Sequence, residues 1–309
     1  MRSAVLPFVL AFAASVAGCA TQSSAPSFRF DASKGAAEVE RRIAAHGDEV
    51  VATIWIGDAE RAVWTREPDR TMPVASAIKT AFLIELFAAN AGALDATRPE
   101  FATMVKNARH PAFSHFAPAL REEIERDLAT ATVTEVGRAM IRGTGVSNGV
   151  YNAAANLTTA LFGGPAGLTA KIHARDPAFA PMHVRRYMLA PRDKGDNEAT
   201  AAALAAPLQR IVGGRLRGVD ELTLAAIRAV MRGKDHPRFG VHYEKGGSLD
   251  SDPLTRVVSG AFAPAGKPIV YVVMLRQAGP GERDRKAAGQ RLGQLAAALR
   301  DAVLEAVDV

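Results

Sequence analysis

The chain has 309 residues, 48% hydrophobic and 23% charged, a globular balance that excludes disorder for its bulk and suffices for one large or two small domains. Lys and Arg exceed Asp and Glu by 38 to 32, for a formal charge of +6. Its single cysteine excludes an internal disulfide, a Cys-rich zinc module, a dithiol redox centre and a Cys-ligated iron–sulfur cluster.

Arg2 is followed by an uncharged run, Ser3 to Ala14, that gives way to small residues, the plan of a secretory signal. The run is shorter than the roughly 20 apolar residues of a membrane span. Val16-Ala17-Gly18-Cys19 resembles the lipobox of bacterial lipoproteins. That resemblance implies a signal peptide over 1–18, lipidation of Cys19, and an exported protein anchored to the membrane and facing the periplasm or cell envelope. Residues 19–30 read as a flexible polar tether and 31–309 as the folded domain.

Within the domain, Ala36 to Ala45 places Val39 and Ile43 on one helical face with charges opposite, and Asp31 or Ser33 can cap its start. Val50 to Ile56 and Arg61 to Thr65, rich in β-branched and aromatic residues, predict a hairpin across Gly57-Asp58-Ala59-Glu60. A helical block runs from about 75 to about 230, interrupted at Pro111, at Gly143 to Gly149 and at Gly163-Gly164-Pro165. Phe239 to Tyr243, Arg256 to Ala263 and Pro268 to Leu275 return to strand character, and 283–307 closes the chain as an amphipathic helix. Two- and three-stranded pieces are marginal alone, so the early and late strands must pair with each other. The expected class is α+β, an α/β sandwich. A five-stranded antiparallel sheet is flanked by the terminal helices, and an all-helical lobe is inserted between the sheet halves, with a cleft between the lobes as the natural site.

Ser76-Ala77-Ile78-Lys79 begins a strongly apolar helical stretch. Three residues of separation put hydroxyl and amine on one helical face. A serine at a helix start has amide donors near the anion it forms on attacking a carbonyl, and a desolvated lysine can take its proton. Downstream stand Tyr151-Asn152-Ala153-Ala154-Ala155-Asn156, then Gly163-Gly164-Pro165, then Glu244-Lys245-Gly246-Gly247-Ser248 on the third predicted strand.

In this order the motifs resemble the S-x-x-K, S-D-N and K-T-G elements of the serine β-lactamase and penicillin-binding superfamily, closest to the class A β-lactamases, over about residues 36 to 307. The resemblance implies Ser76 as acylated nucleophile and Lys79 as its base. Asn152 would bind a substrate amide, and Lys245 would meet the substrate carboxylate while keeping Lys79 deprotonated. The Ser76 and Ser248 amides would form the oxyanion hole, and Gly246 and Gly247 would leave room for substrate along the strand. The implied reaction is hydrolysis of a β-lactam amide. The alternatives are a peptidase acting on D-alanyl-D-alanine or a binding protein that acylates slowly or not at all.

Several positions depart from the family pattern. Val150 stands where the family has a proton-shuttling hydroxyl, so Tyr151 or Ser147 must supply that function if it is kept. Gly246 removes a hydroxyl that Ser248 can replace. Residues 185–200 correspond to the omega loop, whose glutamate activates the deacylating water in class A enzymes, yet no glutamate precedes Glu198. Asp193 and Asp196 are the substitutes within reach, and Glu198 falls at a helix start. Gly145-Val146-Ser147-Asn148-Gly149 matches G-x-S-x-G, but Thr134 to Arg142 before it reads as helix rather than the strand a nucleophile elbow needs. No metal or other cofactor is expected: His110 and His115 are not at ligand spacing. The expected partners are a small β-lactam or peptidoglycan-like substrate and, through the lipid, a membrane. The arginines are scattered rather than forming a nucleic-acid patch, and the chain is expected to be a monomer.

Overall fold

The computed structural model describes residues 28–308 except 280 and 282; the signal segment, Cys19 and the tether up to residue 27 lie outside the described residues. The elements are, in order, β1 (Arg29–Phe30), α1 (Ala32–His46), β2 (Val50–Gly57), β3 (Ala62–Arg66) and β4 (Met72–Pro73). A 3-10 turn (Ala75–Ile78) leads into the helical lobe of α2 (Lys79–Ala88), α3 (Pro99–Lys106), α4 (Pro118–Leu128), α5 (Val133–Arg142), α6 (Asn148–Leu161) and α7 (Pro165–Arg175). After an irregular segment come β5 (Glu198–Ala199), α8 (Ala201–Gly213) and α9 (Glu221–Met231). The chain then returns to the sheet as β6 (His242–Glu244), β7 (Gly247–Leu249), β8 (Leu254–Phe262) and β9 (Ile269–Gln277), and ends with α10 (Arg285–Glu305) and β10 (Val307–Asp308).

The main sheet is antiparallel in the order β3-β2-β9-β8-β6, with β7 also paired to β8. Its first half thus meets its last half along β2 and β9, where Val50 faces Gln277 and Ile54 faces Val273. Alternate residues of β9 serve different layers. Val270, Val272 and Met274 join the core of the helical lobe, while Tyr271, Val273 and Leu275 join Val39 of α1 and Leu292, Leu299 and Val303 of α10. Because both faces are covered, β2 and β9 read as continuous apolar runs and not as alternation.

The α+β architecture agrees with the expectation, and the differences are local. The fifth strand position is divided: β6 and β7 both pair with β8, and Lys245 and Gly246 occupy the break. The strand expected at Phe239 to Tyr243 starts only at His242, because His236 and Gly240 exchange backbone hydrogen bonds in a tight turn and Gly240 takes a left-handed φ of 71°. Phe28, expected in the tether, is buried, and β1 pairs with β10 at the far end of the sequence. The folded body therefore reaches back to residue 28, and the final helix stops at Glu305. Among the described residues no helix is long and apolar enough to cross a membrane, and no group of three His, Cys, Asp or Glu side chains could hold a metal ion.

Helix α2 is the axis of the helical lobe. Every residue from Lys79 to Phe87 is buried, as expected of a helix apolar on all sides. Its one carboxylate, Glu85, accepts two hydrogen bonds of 2.9 Å from Arg175 of α7, a bidentate pair that neutralises a charge with almost no water contact. Removing one partner of such a pair strands the other. Arg175→Met should therefore lower the unfolding free energy by about 3–5 kcal/mol in urea titration, and Glu85→Leu added to it should recover most of the loss.

Candidate active site

Ser76 and Lys79 lie on one continuous turn. The Lys79 amide donates to the Ser76 carbonyl, so the two side chains leave the same face where the 3-10 turn becomes α2. Ala75, just before the serine, holds a left-handed φ of 47°, a conformation that costs an alanine about 1–2 kcal/mol. Neighbouring contacts hold it there: the Val74 amide donates to Asn197 at 3.0 Å, and β4 pairs with β5. Strand β7 presses on the same turn. A Cβ on Gly247 would lie 2.7 Å from the Ser76 nitrogen, so the position tolerates no side chain. The protein itself, before any substrate, requires this glycine.

Lys79 is fully buried. Its Nζ donates to Asn152 Oδ1 at 3.0 Å and to the Tyr151 carbonyl at 3.2 Å, and sits 3.2 Å from the centroid of the Tyr151 ring. The Asn152 amide is oriented by donating to the carbonyl and side-chain oxygens of Asn148, so its own oxygen faces the lysine. These groups favour an ammonium, the ring by about 2 kcal/mol in a desolvated site. Burial works against it by penalising the charged form, and in a site without water this outweighs the ring. Burial, and then the charge of Lys245, hold the Lys79 amine well below the ordinary lysine value. Lys245 is itself buried, with Nζ 5.1 Å from the Tyr151 ring and, among the described residues, no carboxylate in ion-pair range.

Ser76, Tyr151, Asn152, Gly246, Gly247 and Ser248 line one cleft of about 790 Å³ between the lobes. Lys79 and Lys245 adjoin this cleft through the Tyr151 ring, Lys245 from the β6–β7 break. Ser147 lies off the cleft, where its hydroxyl caps α6 by accepting from the Val150 amide at 3.2 Å. Of the two alternatives for the missing hydroxyl, only Tyr151 reaches the site. Gly143, at the left-handed end of α5, leaves room for its ring: a Cβ there would lie 3.0 Å from Tyr151 Cδ2.

The fold resembles that of a solved variant of the last common ancestor of Gram-negative bacterial class A β-lactamases. The TM-score is 0.59 at 19% identity, over 86% of this chain and 98% of that one. The fold is β-lactamase-like. No family model matches the sequence, and no curated protein matches it.

Within this β-lactamase-like fold the facing wall of the cleft is an irregular segment, 182–197, and its chemistry is that of arginine. Arg186 donates to Asp196 at 2.7 Å and to the Ala190 carbonyl at 2.5 Å, and Arg192 Nε lies 3.2 Å from the same carboxylate. Asp196 is therefore engaged by two guanidinium groups. Asp193 is exposed and off the cleft, and Glu198 lies in β5, paired with Arg185. Met188 on this wall is buried and held through its backbone. Its amide donates to Asn156 Oδ1, and its carbonyl accepts from Asn156 Nδ2 at 3.1 Å and faces His115 Nε2 at 3.0 Å. Sequence reasoning assigned no role to Asn156, Arg186, Met188 or Arg192. The available signal was a buried asparagine on an otherwise apolar helix face, since such a group must find polar partners.

A buried amine held away from its ordinary pKa is a stability cost. The unfolded chain binds the proton more tightly, so the cost is largest at low pH and disappears as pH rises toward the ordinary lysine value of 10.5. Lys79→Met should stabilise the fold by about 1–3 kcal/mol near neutrality, and the gain should shrink steadily in melts taken at more alkaline pH.

Proposed function

We propose that the protein is an acyl-enzyme-forming serine hydrolase of β-lactamase type that opens a lactam amide on Ser76 and releases the acyl group slowly. The observation that carries this reading is the fully buried Lys79, one turn from Ser76 and repelled by Lys245, which makes it an acceptor for a hydroxyl proton. Ser76 Oγ attacks the carbonyl carbon and its proton passes to Lys79 Nζ. The carbon–nitrogen bond of the lactam breaks, and the proton moves on to the leaving nitrogen, with the Tyr151 hydroxyl as the relay at the cleft wall. The Ser76 and Ser248 amides stabilise the oxyanion, and Lys245 pairs with the substrate carboxylate.

The support for slow release is that, among the described residues lining the cleft, no carboxylate is left unpaired to activate the deacylating water. The two carboxylates lining the cleft, Asp196 and Asp250, are held by Arg186 and Arg192 and by Arg256 respectively, leaving neither unpaired to activate water. With Cys19 lipidated, as the lipobox implies, this chemistry would take place at the envelope surface.

A chromogenic cephalosporin should give a colour burst of one equivalent, followed by a slow steady rate, with a stable mass adduct on Ser76. Fast multiple turnover would remove the slow-release part of the reading, and neither colour nor adduct would remove acylation itself. Lys79→Ala should abolish the burst. The limiting acylation rate should rise as Lys79 loses its proton, at a pH well below the ordinary lysine range. Lys245→Gln removes the repelling charge and should move that limb to higher pH.

A further inference from the structure

Arg192 crosses the cleft. It belongs to the irregular wall, yet two of its donors end on the opposite side: Nη1 on the Asp252 carbonyl at 3.1 Å and Nη2 on the Ser251 hydroxyl. Its Nε stays with its own wall at Asp196, which Arg186 anchors in turn. The guanidinium is thus fixed between both walls, its planar fork joining two surfaces.

Where it crosses follows from chain order along the sheet edge. Lys245, at the β6–β7 break, marks one end, and Gly247 abuts the Ser76 amide. Leu249 ends β7, and Ser251 and Asp252 form the turn into β8. From Gly247 to Leu249 the strand offers about 7 Å of extended backbone before the strap. Leu189 and Leu249 line the cleft here, and Leu189 is held half exposed at a left-handed φ of 63°. A donor whose carboxylate meets Lys245 and whose carbonyl meets Ser76 must direct its remaining acyl substituent along this stretch toward Arg192.

We infer that Arg192 is a size filter: the site takes acyl donors whose substituent beyond the reacting carbonyl is short and apolar, and resists those that must displace the strap. The inference rests on the acyl-enzyme reading of Ser76. The test compares acylation rates, by intact mass, for penicillin nuclei carrying an acetyl, a phenylacetyl or a dimethoxybenzoyl group. The wild-type rate should fall roughly tenfold or more from the smallest to the largest substituent. Arg192→Ala should reduce that ratio to about threefold or less, and Ser251→Ala, which removes only the hydroxyl on the far wall, should move it in the same direction. An unchanged ratio in both variants overturns the filter.

Amide hydrogen exchange without substrate separates the strap from the chemistry. Arg192→Ala should speed exchange in 186–197 and 249–253 together, and unchanged exchange in both overturns the strap. If none of the three probes acylates the wild-type protein, the acyl-enzyme reading falls and the filter with it, whatever the exchange shows.

Discussion

A lysine amine with no access to water governs the arrangement of the rest of the site. Helix α2 is apolar on every side, so whatever stands on its first turn is inside the protein, and Lys79 stands there. An amine in that position must either be given oxygens and a π face or lose its proton, and here both pressures act. Asn152, the Tyr151 carbonyl and the Tyr151 ring come from α6 on one side, and the charge of Lys245 comes from the sheet edge on the other. Neither side could be supplied by α2 alone. The two-lobed architecture brings a helix and a strand break, far apart in sequence, to the same helix start.

The nucleophile turn is equally a product of closure. The left-handed Ala75 is the strained step before the serine, and Gly247 is the strand position with no room for a methyl group against the Val74 carbonyl and the Ser76 and Ala77 amides. Strain of this kind persists only where the surroundings over-determine the backbone, and here β4, β5 and β7 all do so. The opposite wall shows how far chemistry can vary on a retained fold. Its one inward aspartate is shared by two arginines, and Met188 is held through both its backbone amide and its carbonyl. Under the acyl-enzyme reading proposed above, a wall built this way favours slow release, because neither carboxylate lining the cleft is unpaired.

Much of the fold was legible in one dimension because it rests on local pattern. The continuous apolar runs of β2 and β9, the glycine and proline breaks between helices, and the opening and closing amphipathic helices are all written in periodicity and turn chemistry. Ser76, Tyr151, Asn152, Lys245 and Ser248 were singled out because their spacings and order resemble a known family, and the structure brings Ser76, Tyr151, Asn152 and Ser248 to one cleft. Two-residue strands such as β1 with β10 and β4 with β5 are too short to carry any period, so Phe28 looked like tether although its burial makes it core.

Residue spacing determined which side chains could share a helix turn or a strand, because those geometries repeat at fixed intervals. It could not choose between Ser147 and Tyr151: capping against cleft lining depends on where α6 begins relative to α2. Nor could it tell whether Asp193 and Asp196 face water or arginine, or show that Arg192 spans the cleft. Those outcomes depend on side-chain reach between segments with no local periodic relation, and such distances exist only once the lobes have closed on each other.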